Sequence, residues 1–269
     1  MIDLPEFDAD VFIEEACGFI KQKVDESNSN GVVLGLSGGI DSTVVACLAV
    51  KALGSHNVKA FVLPSSTTSD QDLFDADLIK TMLDIQVEYI LLDDIFEQFL
   101  SLCDIDYLPT DNRKLAEMNV KPRLRMTLLY YFAAIYRCLV IGTGNKTEYY
   151  VGYFTKYGDG GVDLSPIADL YKQEVCLVAE KLGVPSTIID KAPTAGLASD
   201  QTDESELGLS YYYVDRIVYL YVERNMDAVK ISEELDLSLN DVERIVKLID
   251  NSQHKRLTAP ILKKNSYRN

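Results

Sequence analysis

Apolar residues in the first half of the chain switch repeatedly between helical and strand spacing. Val11, Phe12, Cys17, Phe19, Ile20 and Val24 fall on one face of a helix that Asp8 or Asp10 can cap and that Ser27 to Gly31 ends. Val32 to Leu36 is a short, β-branched apolar run of the kind found in a buried strand. A helix from about Ser42 to Leu53, stopped by Gly54, leads to a second strand, Val58 to Leu63, closed by Pro64. Asp70 to Leu83 reads as a helix and Val87 to Leu92 as a strand. Helices are then expected at Asp94 to Cys103, Asn112 to Asn119 and Pro122 to Cys138, the last with proline in its first turn, before a fourth strand, Leu139 to Ile141. This alternation predicts an α/β fold, an open parallel sheet with helices on both faces, Rossmann-like in layout.

The second half is different. Residues 152 to 166 are rich in Gly, Asp and Tyr and read as a loop. Helical patterns follow at Asp169 to Leu182, Tyr211 to Arg224 and Asn240 to Asn251, giving a helical C-terminal part. No repeat or linker divides the sequence, so residues 1–269 are expected to form one domain. Short helices around Ile231 to Leu235 and Val242 to Ile249 have the spacing of a DNA-reading pair. Glu233, Glu234, Asp236, Asp241 and Glu243 would turn the wrong sign toward phosphates, so they read as packing. The run Tyr211-Tyr212-Tyr213 also reads as packing. The segment Leu124 to Tyr136 carries large apolar and aromatic residues nearly all round a helix, more than one sheet face can cover, which points to a partner surface.

Composition narrows the function. With 269 residues, 47% of them hydrophobic, the chain can bury a large core. A formal net charge of −16 argues against nucleic acid as a partner and means that a nucleotide site must build local positive potential. No apolar stretch approaches a membrane span and the start of the chain lacks a signal pattern, so a cytoplasmic protein is expected. Cys17, Cys47, Cys103, Cys138 and Cys176 are widely spaced, without a C-x-x-C pair, and three of them sit inside apolar periodic segments, where small core residues are expected.

The most informative motif runs Gly35-Leu36-Ser37-Gly38-Gly39-Ile40-Asp41-Ser42, between the first strand and a helix start. Glycines let the backbone approach a ligand, and unpaired N–H groups at the helix start favour a phosphate. Ser37 and Ser42 add hydroxyls, and Asp41 makes sense as a Mg²⁺ ligand beside that phosphate. The Lys of a Walker loop is missing. The motif resembles instead the pyrophosphate loop of the ATP pyrophosphatase group, whose members cleave ATP between the α- and β-phosphates. A plain connecting turn is the alternative reading, and the loop by itself leaves the acceptor open.

A second block narrows that choice: Ile141-Gly142-Thr143-Gly144-Asn145-Lys146-Thr147-Glu148, continuing through Gly152-Tyr153-Phe154-Thr155-Lys156-Tyr157-Gly158-Asp159-Gly160-Gly161-Val162-Asp163. With Lys121-Pro122-Arg123-Leu124-Arg125-Met126, Leu170-Tyr171-Lys172-Gln173-Glu174-Val175, Pro193-Thr194-Ala195-Gly196-Leu197, Gln201-Thr202-Asp203-Glu204 and His254-Lys255-Arg256, it resembles the NAD synthetases from about residue 31 to 256. The resemblance implies an adenine nucleotide alpha hydrolase-like fold and a ligase that uses ATP, deamido-NAD and ammonia. It implies ATP contacts from the phosphate loop, Thr143, Lys172 and Thr194, with Mg²⁺ on Asp41 and Glu148. It implies deamido-NAD contacts from Arg123, Lys156, Asp163, His254 and Lys255. Asp159 is implied as the ammonia-binding carboxylate, and Asp159 and Lys172 as the catalytic pair.

Taken one at a time, these residues also have plainer readings. Lys156 and Asp159 can be solvated loop charges, Asp163 turn chemistry, Glu148 a helix-start charge, and His254 and Lys255 surface residues. In many bacterial relatives Asp-His-Ala-Ala stands where this chain has Gly144-Asn145-Lys146-Thr147. Glutamine-using relatives carry an added amidase domain, and only about thirty residues precede the core here, so ammonia is the expected nitrogen source. NAD synthetases are dimers that bind deamido-NAD across the subunit boundary, so a homodimer is expected as well. A tRNA-thiolating enzyme of the same loop group would want reactive cysteines and a basic face. A nucleotide sensor would not need the paired carboxylates.

Overall fold

The computed structural model describes residues 3–103, 112–193 and 203–263. Among these, helix α1 (Ala9–Glu26) opens the fold, capped by Asp8, whose carboxylate accepts from the N–H groups of Asp10 and Val11 at 3.0 and 3.1 Å. Strand β1 (Val32–Gly35), α2 (Ile40–Leu53), β2 (Val58–Val62), α3 (Asp70–Leu83) and β3 (Gln86–Tyr89) follow in alternation. Then come α4 (Asp93–Leu102), α5 (Arg113–Met118), α6 (Val120–Tyr136) and β4 (Leu139–Val140). The strands pair in parallel in the order β3-β2-β1-β4, with Val32 opposite both Val58 and Leu139.

Successive strand residues point to opposite faces, and the core divides accordingly. Val32 and Leu34 of β1 and Ala60 and Val62 of β2 pack against Ile20 of α1 and Val44, Val45 and Leu48 of α2. Val33, Phe61 and Val140 face the other way, onto α6. Phe61 and Phe132 stack there with ring centroids 4.4 Å apart. The buried side chains of these layers stabilise the sheet by about 1.5–3 kcal/mol each, which fixes where its C-terminal edge stands. The expected fold is therefore present, helices covering both faces of a parallel sheet.

Helix α6 starts two residues before Pro122, because the first turn of a helix does not need the proline N–H. Its inner side carries Phe132 and Ala133, while Tyr131 and Ile135 remain 60% and 56% exposed. Large apolar and aromatic residues thus do run nearly all round the helix, and the sheet covers only the inner side.

The C-terminal part comprises α7 (Lys146–Val151), α8 (Lys172–Lys181), α9 (Ser186–Ile189), α10 (Asp203–Leu207), α11 (Tyr211–Val218), α12 (Ala228–Leu235), α13 (Leu239–Asn251) and α14 (Gln253–Arg256). Short α7 has no counterpart among the predicted elements. Helix α8 begins three residues later than predicted because Tyr171 is extended and its N–H is held by Glu174 at 2.8 Å. Helix α11 passes into a π turn at Tyr219–Glu223. Val242, Ile245 and Ile249 of α13 bury themselves with α11 and α12 in a second core, so the acidic helix pair is indeed packing. Cys47 is buried, and burial pushes its thiol up to about 12. Among the described residues no helix is long and apolar enough to cross a membrane.

Candidate active site

A cleft of about 830 Å³ opens at the C-terminal end of the sheet, where open α/β sheets bind ligands. Its floor is the loop between β1 and α2. Gly38 has φ +78°, and a Cβ there would stand 2.2 Å from the Asp72 carbonyl oxygen, so only glycine fits. Helix α2 starts at Ile40 with no side-chain cap, leaving the N–H groups of its first turn available. Ser37 and Ser42 fold the loop on itself. Their hydroxyls lie 3.0 Å apart, and Ser42 Oγ also takes the Ser37 N–H at 3.2 Å and donates to the Gly39 carbonyl at 3.0 Å. An incoming phosphate would therefore compete with bonds already made, while the helix-start N–H groups meet it directly.

One side of the cleft gathers charge. Lys172, the first residue of α8, is buried and pairs with Asp41 Oδ2, and its Nζ lies 3.6 Å from Glu148 Oε1. Asn145, fully buried, caps α7 by accepting the Glu148 N–H at 3.0 Å and donates from Nδ2 to Asp41 Oδ1 at 2.9 Å. Asp215 of α11 anchors both helices, taking the Thr147 hydroxyl and the Gln173 N–H. Burial, reinforced by the charge of Asp41 and opposed by Lys172, raises the Glu148 carboxyl to about 8. Burial alone would depress Lys172, but Asp41 and Glu148 outweigh it and hold its ammonium charged. Asp203 stands nearby with Tyr211 OH on Oδ2 at 3.0 Å, while its buried Oδ1 has no hydrogen-bond partner. The cluster has more carboxylates than one lysine can serve.

The other side is the loop after α7. Asp159 Oδ1 accepts the Thr155 N–H at 2.9 Å. Its side chain presents surface to the cleft, yet the protein packed around this concavity raises its carboxyl, countered by hydrogen bonds and the charges of Lys255 and Arg125. A Cβ on Gly160 would stand 2.4 Å from the Phe154 ring, so this loop is close-packed and not a slack turn. Lys156 donates to the His254 carbonyl and Lys255 to the carbonyls of Gly152 and Phe154 at 2.6 and 2.8 Å. Arg123 reaches the Lys156 carbonyl at 3.4 Å. These cations are hydrogen-bonded to neutral carbonyls, with Lys255 also facing Asp159, so much of their charge remains for an anionic ligand.

A family model described as NAD synthase matches residues 12–259. The chain belongs to the NAD synthase family. It is 45% identical over 250 residues, 93% of this chain and 95% of the other, to the NH(3)-dependent NAD(+) synthetase of Archaeoglobus fulgidus. Its fold is similar to an NMN synthetase from Francisella tularensis, with TM-score 0.83, 34% identity and coverage of 96% of this chain and 99% of that one. It is also similar to the NH3-dependent NAD synthetase from Campylobacter jejuni, with TM-score 0.79, 30% identity and coverage of 96% and 100%.

Within this family frame, the cleft brings together Gly35, Leu36, Ser37, Gly39, Ile40, Asp41, Ser42, Thr143, Glu148 and Lys172 with Arg123, Lys156, Asp159, His254 and Lys255. Gly38 takes part through the turn it permits. Asp163 does not line the cleft. Its Oδ1 accepts from Tyr130 OH at 3.0 Å and its Oδ2 from the Val140 N–H at 2.7 Å. Thr194 lies outside the described residues.

Several cleft residues escaped the sequence reading. Arg125 enters with Nε on the Leu63 carbonyl at 3.0 Å. Lys191 and Asp72 line the cleft beside the glycine turn. Asn145, visible beforehand only as a departure from bacterial relatives, takes a defined place between Asp41 and the α7 start. The neighbouring Lys146 turns away from the cleft to Glu223 and Asp169.

Proposed function

We propose that this chain is an ammonia-dependent NAD synthetase, amidating the nicotinic acid carboxylate of deamido-NAD at the expense of ATP. One observation carries the reading: a phosphate loop, a buried carboxylate–lysine cluster, a carboxylate with a raised pKa and a set of unneutralised cations share a single cleft. In the first step a carboxylate oxygen of the substrate attacks the α-phosphate of ATP and pyrophosphate leaves. In the second, ammonia attacks the resulting acyl carbonyl, AMP departs with the bonding pair, and the attacking nitrogen sheds a proton. Helix-start N–H groups and Lys172 offset charge on the phosphates. Asp159, easier to protonate than an ordinary carboxylate, receives ammonium and accepts its proton. Arg123, Lys156, His254 and Lys255 orient the dinucleotide.

A Mg²⁺ ion is part of the proposal. Among the described residues no three His, Cys, Asp or Glu side chains are grouped to hold a metal alone. The donor set still fits, since Mg²⁺ is held by one or two carboxylates plus substrate phosphates and water. Asp41 and Glu148 would be its ligands, and Asp203, whose buried Oδ1 has no hydrogen-bond partner, lines the same cleft. When bound, the ion supplies a hard positive charge to the phosphate oxygens.

The deciding assay follows pyrophosphate and the amidated product with ATP and Mg²⁺, comparing ammonium with glutamine and the dinucleotide with the mononucleotide acid. Product from ammonium and deamido-NAD, and none from glutamine, is expected. Turnover of the mononucleotide alone would move the assignment toward the activity named for the Francisella neighbour.

The homodimer belongs to the same proposal. Tyr131 and Ile135 on the outer side of α6, with Ile95 and Phe99 on neighbouring α4, leave apolar surface for a second copy. Light scattering at micromolar concentration is expected to give about twice the chain mass. Charged residues at Tyr131 and Ile135 are expected to give monomers, whereas Phe132 faces the core and is unsuited to this test.

A further inference from the structure

The phosphate loop is gripped by a second lysine whose role the proposed reaction does not assign. Lys191 Nζ donates to the Gly38 carbonyl at 2.7 Å, to Asp72 Oδ1 at 2.9 Å and to Asp75 Oδ2 at 2.5 Å. An ammonium has three N–H donors, and here each has an acceptor. Asp75 is fully buried, and its other oxygen takes Gln71 Nε2 at 2.9 Å. The acceptors come from separate places, the glycine turn of the loop and the first turns of α3, while Lys191 itself follows α9.

Backbone geometry gives this contact a consequence. In a trans peptide the C=O of one residue and the N–H of the next point in opposite directions. Whatever fixes the Gly38 carbonyl therefore fixes the Gly39 N–H, which donates to Ser37 Oγ at 3.3 Å, both residues lining the cleft. Glycine at φ +78° offers little resistance to a peptide flip, and a flip would turn a carbonyl oxygen where the loop needs a donor. Asp72 meanwhile lines the cleft and would repel phosphate if left unpaired.

We propose that Lys191 is a positioning residue for nucleotide binding: it anchors the Gly38 carbonyl to α3, so that the Gly39 N–H stays turned toward the phosphates of ATP, and it neutralises Asp72 beside them. This rests on the reading of the cleft as an ATP site. Lys191 need not touch the nucleotide.

The experiment measures direct binding of a non-hydrolysable ATP analogue, with Mg²⁺, to the full chain. Lys191→Met removes the anchor but strands Asp75, so Lys191→Met combined with Asp75→Asn is the main variant. It removes the anchor without leaving that buried charge. Its analogue affinity is expected to fall by about tenfold or more, the loss of charge-assisted hydrogen bonds, while its melting temperature and its affinity for deamido-NAD without nucleotide stay near wild type. Lys191→Arg, which keeps the charge and several donors, is expected to restore most of the affinity. Equal analogue affinity in wild type and the double variant would overturn the inference, as would an equal loss for deamido-NAD. Absence of analogue binding to the wild type would instead overturn the ATP-site reading.

Discussion

The loop between β1 and α2 is held at its two ends by lysines with opposite characters, Lys172 buried and Lys191 half-buried. At the glycine turn, Lys191 has three acceptors within 2.9 Å and its hydrogen-bonding capacity is filled. At the helix start, Lys172 bonds to Asp41 but stands 3.6 Å from Glu148, while Asp203 keeps a buried oxygen without a partner. A saturated network resists change, whereas an incomplete one at low dielectric gains from any ligand that completes it. The loop is therefore scaffold at one end and receptor at the other. The glycine turn is fixed in advance, and the helix start retains electrostatic demand for a cation and for phosphate.

The sharpest attempt to break this contrast is to remove single charges at each end. Asp41→Asn and Glu148→Gln are expected to lower turnover by about 100- to 1000-fold, with circular dichroism unchanged. Glu148→Gln should leave the melting temperature intact, because burial already disfavours the charged form. Asp72→Asn, at the saturated end, is expected to cost far less in turnover. Equal losses at the two ends would erase the distinction.

Asp159 tests the cleft at one remove from the loop. Asp159→Asn should release pyrophosphate at close to the normal rate while amidated product falls by about 100-fold. The sign of the pH effect follows from the raised carboxyl. The ionised form accepts the proton from ammonium, so wild-type amination should fail, as pH drops, at higher pH than an ordinary carboxylate near 3.9 would dictate. The same limb should be missing from the asparagine variant's residual rate. Parallel loss of pyrophosphate and product would reduce Asp159 to a structural part of its loop.

The smallest effect is expected at Asn145, between Asp41 and the start of α7. Asn145→Ala removes the cap of α7 and the amide held against Asp41. It should destabilise the protein by about 1–2 kcal/mol, read as a shift in the urea midpoint at constant slope. Turnover should drop only severalfold if Lys172 continues to orient Asp41.

Much of this was legible beforehand for local reasons. Val32 to Leu36 followed by Gly38-Gly39 and a helical period fixes strand, turn and helix within a dozen positions, and the residues that carry the family likeness converge in the cleft. The illegible parts are long-range. Asn145 meets Asp41 across 104 positions, Lys172 meets Asp41 across 131, and Lys191 meets Asp75 across 116. Periodicity says which face turns inward and nothing about which charge awaits it. Helix α7 was missed because six residues are too few to establish a helical period. The start of α8 was misplaced because the Glu174 carboxylate holding the Tyr171 N–H, not apolar spacing, decides it.

Asp163 has a consequence for how the sheet ends. The inward N–H groups of Leu139 and Ile141 serve β1, but Val140 turns its N–H and carbonyl outward, and Asp163 satisfies both. Its side chain accepts the first at 2.7 Å and its own N–H meets the second at 2.9 Å, while Leu164 takes the Gly142 N–H. One residue thus plugs an edge that would otherwise serve as a template for strands from other molecules. Replacing it would strip the Val140 N–H of its acceptor and reopen part of that template, while the backbone contacts of residues 163 and 164 remain. A preparation lost to self-association would then look like one that had lost its substrate, unless the oligomeric state were followed alongside the assay.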